Sequence, residues 1–173
     1  MNGFFGKSLI SVRDLDKQQL ESIFESIDKI IDMEPSQRRE LARGKTLGYL
    51  FFEPSTRTRL SFEAAMALLG GTSIGISDAT SSSIHKGETL GDTVKIISSY
   101  SDVLILRHSL DGSSRFAAEV SNKPIINAGS GTEEHPTQTI QDLFTIKKEK
   151  KKIDGLKIGI TGDLKYGRTI YSL

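Results

Sequence analysis

The chain has no cysteine in its 173 residues. Disulfides, thiolate metal sites and a cysteine nucleophile are therefore excluded. Histidine is scarce: His85, His108 and His135 lie in separate segments, at no spacing that resembles a zinc site. No apolar stretch approaches the length needed to cross a bilayer, and the first residues lack the charged-then-apolar layout of a signal peptide. The expected setting is the cytoplasm. An excess of one charge is also missing, with 23 Lys+Arg against 22 Asp+Glu. Such a balance gives no footprint for a nucleic-acid partner or an anionic membrane surface. The one basic run, Lys147 to Lys152 broken by Glu149, reads as a solvated helix end.

Hydrophobic content is modest at 36%, but the apolar residues cluster well enough to build a core. The length fits one domain, or one domain and part of another. Leu20, Ile23, Phe24, Ile27, Ile30 and Ile31 recur at helical spacing and predict a helix over 14–33, capped by Asp14 or Asp16. A short polar helix follows Pro35. A strand over 46–52 leads into a helix over 57–69, ended by Gly70-Gly71. Residues 72–77 read as a second strand and 78–88 as a Ser-rich loop. Leu90, Val94, Ile97 and Tyr100 mark another helix, and 102–106 a continuously apolar strand of the kind buried in parallel sheets. A helix near 113–121, a strand over 124–127 and a helix over 137–149 continue the pattern. The repeated alternation predicts an α/β fold, a parallel sheet with helices on both faces. Residues 156–161 read as one more strand, with a helix beginning beyond it. Residues 1–150 are thus expected to form a complete domain, and 151–173 to open a second.

The most informative stretch is Phe52-Glu-Pro-Ser-Thr-Arg-Thr-Arg-Leu-Ser-Phe-Glu63. It joins an apolar strand to a helix that carries Leu60, Ala64, Ala67 and Leu68 on one face. Five consecutive donors, Ser55, Thr56, Arg57, Thr58 and Arg59, fall where a helix start offers unpaired N–H groups and the positive end of its dipole. Ser55 is a candidate N-cap. The simpler alternative, a capped helix with surface arginines, would not need so many donors. Phosphate or carboxylate binding does.

In open parallel sheets, ligands bind outside the carboxyl ends of the strands. The other expected strand ends deliver Arg107 and His108, then Asn127 to Gln138 with His135, then a segment ending in Arg168. That edge is cationic and rich in donors, and it holds no evident nucleophile with its base. It suits a phosphate next to a carbonyl: Arg57 to grip phosphate oxygens, His135 and Arg107 to donate to a developing oxyanion. Each residue has a plainer alternative. Arg107 could be a surface residue beyond a strand, His135 a cap before Pro136, Gln138 an exposed helical side chain, and the loop around Lys86 a solvated connection.

Residues 51–63 resemble the carbamoyl-phosphate motif shared by aspartate and ornithine carbamoyltransferases. Three further segments resemble the aspartate branch: Ser82-Ser-Ile-His-Lys86-Gly-Glu-Thr-Leu, Asn127-Ala-Gly-Ser-Gly-Thr-Glu-Glu-His135-Pro-Thr-Gln-Thr-Ile-Gln-Asp-Leu, and Gly162-Asp-Leu-Lys-Tyr-Gly-Arg-Thr. The ornithine branch usually has a His-Pro-Cys-Gln style of motif where this chain has His135-Pro-Thr-Gln138. The resemblance runs over essentially the whole chain.

It implies that Ser55, Thr56, Arg57 and Thr58 hold carbamoyl phosphate. Arg107 would contact phosphate and carbonyl, His135 and Thr58 would polarise the carbonyl, and Gln138 would hold the carbamoyl amino group. Arg168 would bind a carboxylate of L-aspartate, with Glu53 orienting it. Ser82 and Lys86 would reach into a neighbouring subunit of a homotrimer with shared active sites. The implied reaction gives N-carbamoyl-L-aspartate and phosphate, a step of pyrimidine biosynthesis, with no metal or organic cofactor. Regulatory chains are among the partners the family allows. The family's second domain completes the aspartate site, and here only its first elements are expected. Two alternatives follow: transfer to ornithine or another amine, and a carbamoyl phosphate-binding module without turnover.

Overall fold

A computed structural model describes residues 3–77, 87–132, 134–162, 167–169 and 172–173. A 3-10 turn at Val12–Asp14 precedes helix α1 (Lys17–Asp32) and the short α2 (Pro35–Arg38). Strand β1 (Thr46–Phe51), helix α3 (Thr56–Leu68) and strand β2 (Thr72–Ile76) follow. Next come α4 (Leu90–Tyr100), β3 (Val103–His108), α5 (Ser113–Val120), β4 (Ile125–Ser130) and α6 (Pro136–Lys150). The four strands form one sheet in the order β2-β1-β3-β4, with every pairing parallel.

The strand order explains where the helices lie. The chain first moves outward from β1 to β2, then crosses back over β1 to β3 and continues to β4. Right-handed crossovers in opposite directions place their helices on opposite faces. One face packs Leu50, Leu104, Leu106 and Ile125 against Val94 and Ile97 of α4 and Ala117 of α5. The other packs Leu47, Phe51, Ile105 and Ala128 against Met66 of α3. Alternate residues of each strand serve alternate faces, and the middle of β3, Leu104 to Leu106, is buried on both. The α/β sheet with helices on both faces is therefore as expected.

Helix α1 packs on α6 through Phe24, Ile140 and Leu143. Its start is Asp16, whose carboxylate accepts from the Gln19 N–H at 2.7 Å while the Gln19 amide oxygen accepts from the Asp16 N–H at 2.9 Å. Helix α3 ends as the sequence indicates, with Gly70 in the left-handed region at φ 88°. The outer edge of β4 is covered by residues 8–10. Leu9 donates to the Ile125 carbonyl and accepts from the Asn127 N–H, as a further parallel neighbour of the strand.

Two expectations are corrected. The apolar face of α3 read from Leu60, Ala64, Ala67 and Leu68 is not the buried one: Leu60 is 48% and Leu68 62% exposed. Phe62, Met66 and Leu69 pack on the sheet instead. The helix carries two apolar stripes, and periodicity alone does not say which one meets the core. The expected strand over 156–161 does not form. Among the described residues no neighbouring strand completes its hydrogen bonds, and Ile158 and Ile160 stay about half exposed. An apolar run becomes a strand only beside a partner.

Candidate active site

Reversal of direction at β1 and β3 leaves a crevice at their carboxyl ends, where no helix crosses. The residues that follow β1 and β3 line it. Helix α3 enters from Ser55, which occupies the N-cap position but makes no side-chain hydrogen bond to the first turn. The N–H groups at the α3 start are thus left to the crevice. Helix α6 starts in the same manner: His135 is its N-cap residue and its side chain caps nothing. The plainer reading of His135 as a cap therefore fails.

Between these two helix starts runs a cleft of about 850 Å³, lined by Ser55, Thr56, Arg57, Thr58, Arg107, His135 and Gln138 among others. It continues past Pro54, Arg107, His135 and Gln138 to Glu53, Gly167, Arg168 and Thr169. The structure thus brings together eight sequence-derived candidates, from four segments of the chain. Ser82 and Lys86 lie outside the described residues. Arg59 does not join the cleft and instead pairs with Glu63 one turn along α3, at 3.7 Å. His108 is also turned away. Its Nδ1 accepts from the Leu110 N–H at 3.0 Å, and its ring packs on Phe52.

The arginines are held from below. Both Glu53 oxygens accept from Arg168 Nη2, at 3.2 and 3.0 Å. The same carboxylate stands 3.3 Å from Arg107 Nε, an ion pair whose angles do not make it a hydrogen bond. Arg107 Nη1 donates to the Ala128 carbonyl at 3.2 Å. One carboxylate thus serves two guanidinium groups and leaves a net positive charge. Arg107 Nε and Arg168 Nη1 are buried without a hydrogen-bond partner among the described residues. Buried donors of this kind call for an acceptor.

Behind the two arginines lies an irregularity in β4. Leu106 pairs with Asn127, and His108 with Ser130, so β4 has one residue more than β3 over this span. Such a bulge re-aims nearby side chains. Gly129 lies in it at φ 111°. A Cβ there would stand 2.9 Å from Arg168 Nη1, 3.2 Å from Arg107 Nη1 and 3.5 Å from His135 Cδ2. A side chain there would press on both guanidinium tips, and the positive φ disfavours any residue but glycine. Asn127 fixes this turn: its Oδ1 accepts from the Gly129 N–H, and its Nδ2 donates to the Ile10 carbonyl and Ser130 Oγ.

Burial, then the charges of Arg107 and Arg168, pushes the His135 imidazole down to about 4. It is neutral at physiological pH and offers one N–H without adding charge. Its Nδ1 lies 3.3 Å from Thr137 Oγ1. Burial also lowers the Arg107 pKa, with Arg168 acting in the same direction and Glu53 opposing both. The site therefore combines permanent positive charge, hydroxyl donors and a neutral imidazole. Such a set can neutralise a phosphate and polarise an adjoining carbonyl.

The family model for the aspartate/ornithine carbamoyltransferase carbamoyl-P binding domain matches residues 7–148. The chain belongs to the aspartate/ornithine carbamoyltransferase family. Within it, the chain is 75% identical over all 173 residues to the aspartate carbamoyltransferase catalytic subunit of Nitrosopumilus maritimus, of which it covers 56%. It is 54% identical to that of Thermococcus kodakarensis, with 97% of this chain and 54% of that one covered. The catalytic subunit of M. jannaschii aspartate transcarbamoylase superposes with a TM-score of 0.87 at 49% identity, over 96% of this chain and 55% of that one. The Trypanosoma cruzi aspartate transcarbamoylase, in complex with carbamoyl phosphate and aspartate, superposes with a TM-score of 0.86 at 40% identity, over 96% and 55%. The chain spans about half the length of the curated relatives it matches.

Three features of the cleft are not signalled by the sequence motifs. The Glu53 bridge reaches Arg107 as well as Arg168, across more than fifty residues of sequence. Gly129 sits in a segment of the right motif, but nothing in the sequence signals its contact with both arginines. Gln138 is tied to Asp142, an i,i+4 pair that helical spacing could have flagged.

Proposed function

We propose that this chain is the carbamoyl phosphate-binding part of an aspartate carbamoyltransferase. Residues 1–150 form that domain and 151–173 open the aspartate-binding one. The observation that carries the reading is the convergence of Arg57, Arg107, Arg168 and neutral His135 on the crevice beside an uncapped helix start. Ser55, Thr56, Arg57 and Thr58 take the phosphate, helped by Arg107. Thr58, Arg107 and His135 donate to the carbamoyl oxygen, and Gln138 holds the amino group. Arg168, oriented by Glu53, receives a carboxylate of L-aspartate.

In the reaction, the α-amino nitrogen of aspartate forms a bond to the carbamoyl carbon. Negative charge collects on the carbonyl oxygen, where the donors are already placed. The carbon–oxygen bond to phosphate then breaks, and the amine proton passes to the departing phosphate. The products are N-carbamoyl-L-aspartate and phosphate, a step of pyrimidine synthesis. The protein supplies position and charge. The absence of a strong base from the described cleft lining agrees with this proton path.

The active form is a homotrimer with shared sites, in which Ser82 and Lys86 complete a neighbour's cleft, and regulatory chains are further candidates. Exposed Leu60 and Leu68 on α3, with Ile74 on the edge strand, support an oligomer, since such apolar surface favours burial. A cytoplasmic setting is part of this reading; among the described residues no helix is long and apolar enough to cross a membrane. Transfer to ornithine is the weaker reading, because the relatives compared are aspartate enzymes.

Calorimetric titration with carbamoyl phosphate tests the assignment. Arg57 is exposed in the cleft wall, and Arg57→Ala is expected to cost about 2–4 kcal/mol of binding. Unchanged affinity would show that the phosphate sits elsewhere.

A further inference from the structure

Asp142 follows Gln138 by one turn of α6, and Gln138 Nε2 donates to Asp142 Oδ1 at 2.9 Å. A primary amide can present either end to a partner. A carboxylate oxygen only accepts, so Asp142 takes the NH2 end. The two ends of the amide diverge from Cδ, and fixing Nε2 on Asp142 leaves Oε1 on the other side. Gln138 lines the cleft next to Arg107 and His135, so that oxygen is the group available there. The arginine and backbone N–H groups around it only donate. The serine and threonine hydroxyls can donate as well as accept, and the Glu53 carboxylate is taken up by Arg168 and Arg107. An acceptor among so many donors is the feature that tells one acyl phosphate from another.

We propose that Asp142 is a positioning residue that sets the sense of the Gln138 amide. The cleft thereby selects an acyl phosphate carrying an amino group over the same molecule carrying a methyl group. The inference rests on the reading that Gln138 holds the carbamoyl amino group. Carbamoyl phosphate and acetyl phosphate have nearly the same shape and differ at that one substituent. With Oε1 presented, the amino group gains an acceptor and the methyl group does not. With the amide reversed, its NH2 would face another NH2 and the distinction would vanish. The pair contributes little to the helix itself, because i,i+4 side-chain hydrogen bonds of this type are weak. Its effect falls on ligand choice.

The test compares affinities for carbamoyl phosphate, acetyl phosphate and inorganic phosphate in the unaltered chain and three variants. Asp142→Asn offers Gln138 both a donor and an acceptor, and Asp142→Ala offers neither. The double variant Gln138→Glu with Asp142→Asn reverses the pair: a Glu oxygen accepts from the Asn NH2, and the other oxygen still faces the substrate. The unaltered chain is expected to prefer carbamoyl over acetyl phosphate. Asp142→Asn and Asp142→Ala should each reduce that preference about tenfold, the scale of losing one well-made hydrogen bond. Affinity for inorganic phosphate should stay as it is. The double variant should recover the preference, even though moving the negative charge from position 142 to position 138, nearer the ligand, weakens all three. If one single variant does not fold, the other and the double variant carry the comparison. Single variants that keep the full preference, or a double variant that does not restore it, would overturn the role of Asp142. A lack of preference in the unaltered chain would instead remove the Gln138 assignment, and this inference with it.

Discussion

Helices α1 and α3 begin in opposite ways. At α1, Asp16 and Gln19 close the first turn reciprocally, so its N–H groups are spent inside the protein. At α3, and again at α6, the N-cap residue is polar but its side chain caps nothing. A helix start left open costs stability that a cap would supply, and both of these open starts face the same cleft. An uncapped start is not sufficient by itself. Helix α5 begins at Gly112, which has no capping side chain, and that residue does not line the cleft. What separates α3 and α6 from α5 is the set of guanidinium groups between them, two of which carry buried donors without a hydrogen-bond partner among the described residues. On the proposed function, one helix start is closed for stability and the other left open for an anion.

The comparison breaks most severely at Gly129. Gly129→Val forces a side chain into the space of Arg168 Nη1 and Arg107 Nη1, at a backbone φ of 111°. Phosphate affinity should fall more than about 100-fold, as expected when positioned groups are displaced by an ångström. Calorimetry with inorganic phosphate reads the change, and an unaltered affinity would mean that the bulge does not place the arginines. A smaller and more selective contrast comes from the caps themselves. Asp16→Ala should cost about 1 kcal/mol of folding stability, measured by denaturant unfolding, without altering phosphate binding. Ser55→Ala should do the reverse: less than about 0.5 kcal/mol of stability, but a loss of several-fold in phosphate affinity. Equal behaviour of the two variants would erase the distinction between a structural and a binding helix start.

Much of this architecture was legible in the chain. The β1–α3 junction announced itself because strand composition, a helix pattern and consecutive donors are all local signals. The edge shared by Arg57, Arg107 and His135 followed from one rule about parallel sheets, whereas Arg168 reaches it without the strand expected before it. Other features depend on partners far away in sequence. Glu53 meets Arg107, and no local pattern records such a pairing; its contact with Arg168 was expected from the family resemblance alone. Leu60 and Leu68 were misread because α3 has two apolar stripes, and only the sheet decides which is buried. The run at 156–161 has strand composition, but among the described residues it lacks the neighbour that would make it one. Ser55 was rightly placed at the helix start, yet its missing cap bond, which carries the functional meaning, is a matter of rotamer and not of residue type.

The central claim, that this cleft receives a phosphate next to neutral His135, is tested most directly by the histidine itself. The chain has three histidines, few enough to follow individually by NMR as pH is varied with and without phosphate. His135 starts at about 4 because burial and two arginines oppose its charge. Phosphate bound between Arg107 and Arg57 would offset those charges and add its own. The account predicts that saturating phosphate moves the His135 pKa upward while His108, turned away onto Phe52, stays where it was. A His135 titration that phosphate leaves untouched would contradict it.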